Sequence, residues 1–298
     1  MNRTAIKNFA VWARKNLREE VATSAARLGI TRKAIAEPSY VAGGMVIGAT
    51  TFDGATTTLY RALRDTLSAR LETTPLEQVV DNLIDERAYT WFNRLAALRF
   101  MEVKGYIGRA LSSSVPGTVE PDLLRDALSL ADTLPGLDMA RIDALQAQGD
   151  EPLYRALLVA QGKAFADALP NLFGRAPYAE LFLPARLLTQ GSFVQRLVKD
   201  IPAENWQDIE IIGWLYQFYI SERKDEVFAA KKAYDARDIP AATQLFTPHW
   251  IVRYIVENSL GRSWLEARPE SGLRAQMPYI WIRAKVERRV NRGEATRT

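Results

Sequence analysis

Residues 74–106 read TPLEQVVDNLIDERAYTWFNRLAALRFMEVKGY, and this stretch decides the fold. Its large apolar side chains lie on more than one side of a helix, and they are Trp91, Phe92, Leu95, Leu98, Phe100 and Met101. A helix that is apolar on most sides is buried against several neighbours. Thr74, Pro75 and Glu77 fit the N-cap, the first helical position and the third position of a capping box. Gly105 marks the end. The stretch therefore predicts the central helix of an N-terminal helical domain.

Outside this stretch, apolar residues at helical spacing predict further helices, over 4–28, 59–72, 121–133, 138–148, 152–169 and 191–200. The Gly- and Thr-rich residues 36–58 predict a loop with a small hairpin. Residues 204–234 start apolar and become charged after Ile220, which predicts one long helix that leaves the core and enters solvent. The predicted fold class is mainly α, a multi-helix domain with little strand.

Three regions follow from this pattern. Residues 1–203 form a helical N-terminal domain, and 204–270 hold the long helix and the helix after it. Residues 271–298 form a basic tail, which we expect to be disordered or to come from a shifted reading frame.

The composition excludes several kinds of site. The 298 residues include no cysteine, which excludes disulfides, Cys-ligated zinc and a thiol nucleophile. The single histidine, His249, leaves almost no material for a multi-His metal site or a Ser-His-Asp triad. We therefore predict no metal site and no catalytic residue. Because no run of about 18 apolar residues occurs and the N-terminus lacks an apolar block, we expect a cytoplasmic protein without a membrane span.

The positive charge is concentrated at one end of the chain. The net charge is +4, but residues 274–298 alone carry seven Lys/Arg against two Glu, so the rest of the chain is close to neutral. The composition of the folded body therefore gives only weak support for DNA binding.

Residues 242–261 read ATQLFTPHWIVRYIVENSLG. Thr247 and Pro248 predict a helix start, with Thr as N-cap and Pro at the first helical position. The apolar residues that follow lie along one broad face, and Gly261 predicts the end of the helix. From the residues alone, this pattern is typical of an ordinary helix of the core.

The form Gln-x-Phe-Thr-Pro-x-x-Ile-Val in this segment resembles the motif that precedes the cofactor-binding domain of gamma-class amino DNA methyltransferases. The resemblance implies that Phe246, Thr247 and Pro248 lie beside S-adenosyl-L-methionine, with Gln244 and Leu245 in support. A helix N-terminus offers N–H groups and a partial positive charge, which suit the carboxylate of that cofactor.

Longer runs extend the resemblance. TAIKNFAVWAR near the start, AYTWFNRLAALRFMEVKGYI at 88–107 and most of 209–264 are similar to the N-terminal region of the PglX family. These are adenine-specific DNA methyltransferases of BREX phage-defence systems. The resemblance implies DNA as substrate, S-adenosyl-L-methionine as cofactor, and other BREX defence proteins as partners.

The sequence also departs from that family. It contains neither the Asp-Pro-Ala-Cys-Gly-Ser-Gly-like cofactor loop nor the Asn-Pro-Pro-Tyr-like motif that holds the target adenine. We therefore expect the Rossmann-like methyltransferase core to be absent from this chain, and the chain to be inactive alone. A natural truncation, a frameshift near residue 275 or a cloning boundary would each explain the missing motifs.

Two other interpretations stay open at this point. The chain could be a non-catalytic helical module that binds DNA or partner defence proteins. It could also be the non-functional remnant of a broken gene, which would leave an apolar surface exposed.

Overall fold

The computed structural model describes residues 1–174, 177–229, 239–243 and 246–281. The chain divides into two compact units, Met1–Gln244 and Leu245–Thr298. The helices are α1 Arg3–Arg27, α2 Gly54–Leu71, α3 Leu76–Val103, α4 Asp122–Arg125, α5 Met139–Gln146, α6 Asp150–Ala164, α7 Phe193–Asp200, α8 Glu210–Tyr219, α9 Ser221–Ala229, α10 Ile239–Thr243, α11 His249–Val256 and α12 Arg262–Ala267. The strands are β1 Ser39–Val41, β2 Gly44–Ile47 and β3 Thr50–Asp53. The mainly α fold class is confirmed. No described helix is both long and apolar enough to span a bilayer.

Helix α3 is the centre of the first unit, as its sequence predicts. It packs against α1, α2 and α7, and Trp91, Phe92 and Leu95 are buried. Gly105 follows with a φ of +72°, the left-handed conformation that ends many helices. Helix α1 packs one buried face against α3 and α8. The residues of this face recur three or four positions apart, which places them on one side of the helix.

The predicted start of α3 is wrong by one residue. Pro75 has φ −58° and ψ 145°, so it is the non-helical N-cap, and no side chain caps the helix. Thr74 is therefore not the N-cap, and the predicted capping box with Glu77 does not form. The backbone carbonyl of Pro75 accepts the amide of Val79 at 3.0 Å. The helix thus begins after the proline rather than at it.

Buried charged side chains of α3 form hydrogen bonds with the backbone of neighbouring segments. The Arg94 guanidinium donates to the carbonyls of Leu172 and Phe173, each at 3.0 Å. Burial lowers the pKa of Arg94. Arg99 pairs with Glu102, which in turn accepts the amide of Leu111 at 2.8 Å. These bonds give backbone groups of the π-turn Pro170–Gly174 and of Leu111 the partners that buried polar groups need.

The strands form a three-stranded antiparallel sheet in the order β1-β2-β3, so the predicted hairpin gains a further strand. Gly43 takes a φ of +82° in the first turn. Gly44 must lack a side chain, because a Cβ there would lie 1.9 Å from the carbonyl oxygen of Phe52. Asp53 ends β3 and caps α2, since its carboxylate accepts the amide of Thr56 at 2.8 Å.

The single helix predicted over residues 204–234 is divided in the structure. A 3-10 turn, Ala203–Gln207, precedes α8, and Ile220 separates α8 from α9. Helix α8 packs on α1, and the rings of Phe92 and Tyr219 lie 4.3 Å apart between centroids. Residues 230–238 lie outside the described part of the chain. The three predicted regions remain a prediction.

Candidate functional site

The Phe-Thr-Pro segment leads directly into α11, at the beginning of the second unit. Phe246 and Pro248 are half-buried, and Thr247 is exposed. Gln244, the fourth predicted cofactor residue, lies outside the described residues, as does Leu245. The structure therefore places Phe246, Thr247 and Pro248 in sequence at one helix start and leaves Gln244 undescribed.

The predicted capping of α11 is also wrong by one residue. Pro248 has φ −55° and ψ 143° and is itself the N-cap, without a side-chain capping bond. Its carbonyl accepts the amides of Ile251 and Val252 at 2.9 and 3.3 Å. Thr247 stands one position before the cap, so its hydroxyl is not used to cap the helix. The first amides of any helix have no acceptor inside it and carry partial positive charge. An exposed hydroxyl thus accompanies an electropositive helix start.

One face of α11 and of the turn after it holds the segment 276–281. Glu257 is only 4% exposed, and its carboxylate accepts from Arg253 Nε at 2.7 Å and from the amide of Tyr279 at 2.6 Å. Asn258 donates to the carbonyl of Tyr279 at 2.8 Å and accepts the amide of Trp281 at 2.7 Å.

Two arginines complete this arrangement. Arg253 also donates to the carbonyl of Gln276, and Arg262 donates to the carbonyl of Trp281, both at 2.6 Å. We call these four side chains, Arg253, Glu257, Asn258 and Arg262, the backbone clamp. The backbone clamp fixes the position of residues 276–281 against the helix, although these residues belong to no β-sheet.

Gly261 does not end the helix, contrary to the prediction. The helix widens into a π-turn over Glu257–Gly261 and then continues as α12. Gly261 has a helical φ of −60°. A Cβ at this position would lie 2.8 Å from Cε at the flexible end of the Met277 side chain, so Gly261 lies in contact with the clamped segment.

Several apolar side chains of α11 are exposed. Val252 is 44% exposed, Ile255 57% and Val256 47%. The expectation of an ordinary core helix is therefore wrong, because no residue of α11 itself is buried in the described structure. We call Val252, Ile255 and Val256 the apolar stripe.

The sequence of this chain is similar to two proteins of known name. The chain is 41% identical over 289 residues to the adenine-specific methyltransferase BrxX of Escherichia coli O9:H4 (strain HS). It is 37% identical over 298 residues to the adenine-specific methyltransferase PglX of Lacticaseibacillus casei (strain Zhang). The chain is related to the adenine-specific methyltransferases BrxX and PglX. The predicted resemblance is thereby confirmed.

The relationship covers most of this chain and a minor part of each relative. The alignments span 94% and 91% of the chain but 23% and 24% of the two methyltransferases. The chain thus spans about a quarter of the length of the curated relatives it matches. No family model matches it.

Sequence reasoning missed the backbone clamp, although a signal for it exists. The four side chains form two pairs four residues apart, Arg253 with Glu257 and Asn258 with Arg262. Side chains at this spacing are neighbours on a helix surface. What the pattern could not give is their partner, which is backbone and has no sequence signature.

Proposed function

We propose that this chain acts as the N-terminal segment of a site-specific adenine-N6 DNA methyltransferase of a BREX-type phage-defence system, in the cytoplasm. The observation that carries the proposal is similarity to two adenine-specific methyltransferases across nine-tenths of the chain. The Phe-Thr-Pro segment at the exposed start of α11 supports it. DNA is the proposed substrate, and other BREX proteins are the proposed partners.

The proposed cofactor is S-adenosyl-L-methionine, held in part by Phe246, Thr247 and Pro248, with Gln244 from the residue pair before them. The residues present fit one end of such a ligand. The electropositive start of α11 suits a carboxylate, the exposed Thr247 hydroxyl can donate to it, and Phe246 offers an apolar surface. The cofactor supplies the methyl group when bound, and this segment would orient it.

Methyl transfer requires groups that the proposal places outside this chain. Enzymes that modify a base in a duplex turn the nucleotide out into a fitted pocket. The motif that holds the target adenine in the resembling family is missing from the sequence, as is the main cofactor loop. The segment is therefore proposed to be inactive alone and to contribute to a cofactor site that another domain completes.

A chimera tests this function. The matched segment of the E. coli relative is replaced by this chain, and transfer of labelled methyl groups from S-adenosyl-L-methionine to duplex DNA is measured. The isolated chain is expected to transfer none, the chimera to methylate adenine, and the relative lacking its matched segment to lose activity.

Two outcomes would contradict the proposal. Methyl incorporation by the isolated chain would overturn its inactivity. A folded chimera that binds neither S-adenosyl-L-methionine nor DNA, beside an active parent enzyme, would remove the functional equivalence of the two segments.

A further inference from the structure

Side chains of α2, α3 and α6 in the first unit, together with the π-turn Pro170–Gly174, line a cavity of about 320 Å³. Its wall is mostly apolar and includes the buried side chains of Trp91, Leu98, Leu158 and Phe173. None of the residues that line it belongs to α11 or to the Phe-Thr-Pro segment. The cavity is therefore a site that the proposed function leaves without a role.

The volume of this cavity suits a small aromatic molecule. A cavity of about 150 Å³ lined by Leu, Ile and Phe side chains holds one benzene molecule, and sites for small ligands begin at about 300 Å³. Gly162 helps to keep the space open, because a Cβ at this position would lie 3.2 Å from Cδ1 of Phe173. The cavity thus has room for one aromatic ring that carries a short polar chain.

Arg94 gives the apolar wall a hydrogen-bond donor. The residue is only 6% exposed, and its Nε and Nη2 donate to the carbonyls of Leu172 and Phe173. The third nitrogen, Nη1, makes no hydrogen bond to the described residues. The guanidinium carbon lies 5.2 Å from the Trp91 ring centroid and 5.7 Å from that of Phe173. A ligand in the cavity would therefore meet a free cationic donor beside two aromatic rings.

The charges around the cavity favour an anion. Arg94 and Lys163 line it with one carboxylate, Glu180, and this carboxylate pairs with Lys163 at 3.0 Å. Arg87 lies two turns before Arg94 on α3 and is also buried, and its Nε and Nη1 have no hydrogen-bond partner within the described part of the chain. Burial and then the charge of Arg87 lower the pKa of Arg94. Because a buried cation is costly without an anionic partner, a ligand that brings a negative charge is favoured.

We propose that this cavity binds an aromatic carboxylate, whose ring packs against Trp91 and Phe173 and whose carboxylate accepts hydrogen bonds from Nη1 of Arg94. A single carboxylate matches the one cation of the wall that has no carboxylate partner among the described residues. Hydrogen bonds between charged groups are stronger than neutral ones, which gives the acid an advantage over an uncharged ring. The inference does not rest on the proposed function.

Calorimetric titration of the complete chain with cinnamate, a phenyl ring on a short acid chain, tests the proposal. Binding in the millimolar range or tighter is expected. Cinnamamide has nearly the same shape without the charge and is expected to bind at least about tenfold more weakly, because it forms no charge-assisted bond with Arg94. Inorganic phosphate, which has no apolar part, is expected not to displace cinnamate.

Two variants locate the ligand. Val159→Phe adds a ring to the cavity wall and is expected to weaken cinnamate binding at least about tenfold by filling the space. The matched control is Val119→Phe, the same change at a valine that is 69% exposed, and it should leave binding unchanged. Arg94→Met is expected to remove the preference for the acid over the amide. Circular dichroism confirms that each variant is folded.

Each result decides for or against the site. Absence of cinnamate binding by the unchanged chain, or equal affinity for the acid and the amide, would overturn the proposal without any mutation. If folded Val159→Phe binds cinnamate as tightly as the unchanged chain, the ligand lies elsewhere and the proposal is wrong. A variant ending at residue 281 should keep full affinity, and loss of binding in that variant would mean that the basic end holds the acid instead.

Discussion

At the scale of single residues, the first unit depends on charges that its sequence gives no reason to place inside. Arg94 sits among the apolar residues of α3, yet its guanidinium provides hydrogen bonds to the carbonyls of Leu172 and Phe173. A buried carbonyl that is left without a donor costs about 1–3 kcal/mol. Arg94 therefore stabilises the position of the segment after α6, and it is not a candidate catalytic residue.

We predict that Arg94→Met lowers the free energy of unfolding by about 2–4 kcal/mol, because the methionine fills much of the space but leaves both carbonyls without their donor. Urea denaturation of the purified chain measures this. The control is Arg61→Met, which removes an exposed arginine that lies 4.6 Å over the Tyr40 ring and should cost less than about 1 kcal/mol. Equal losses in both variants would show that the two carbonyls do not depend on Arg94.

At the scale of elements, periodic patterns predict helices well and their first residues less well. The long apolar pattern predicts α1 and α3 to within about two residues at each end, and glycine predicts the end of α3. Both Thr-Pro starts are misplaced by one residue, because sequence does not reveal that the proline takes a ψ near 145° and becomes the N-cap. The pattern on α11 likewise shows which side chains are apolar, but not whether anything in this chain covers them.

The cap of α2 gives a prediction with a defined pH dependence. Hydrogen bonds from the Thr56 hydroxyl and amide hold the pKa of Asp53 below its ordinary value, so the carboxylate form is favoured by folding. This stabilisation is present above the unfolded pKa of about 3.9 and is lost as the pH falls through the lower folded value. We predict that Asp53→Ala costs about 1 kcal/mol at pH 7. The cost should shrink as the pH falls below 4. Urea denaturation of the unchanged chain and of the variant at pH 7 and at a pH below 4 checks this. An equal loss of unfolding free energy at both pH values would mean that the cap does not depend on the charge of Asp53.

At the scale of the whole molecule, the chain combines a nearly neutral helical body with a basic end. Residues 282–298 hold six Lys/Arg and two Glu, whereas the net charge of the complete chain is only +4. Residues 1–281 therefore carry equal numbers of basic and acidic side chains and no net charge.

This distribution predicts where contact with DNA arises in the isolated chain. We expect weak binding to any duplex, carried by the Lys and Arg of residues 282–298, because counterion release depends on the cations that meet phosphates and not on sequence. With three phosphate contacts, affinity should fall roughly 40-fold between 50 and 200 mM salt. Fluorescence anisotropy on a labelled duplex measures this slope for the complete chain and for a variant ending at residue 281. The shortened variant should bind at least tenfold more weakly at low salt. If it binds equally well, the helical body itself holds DNA, and the interpretation as a DNA-binding module gains support.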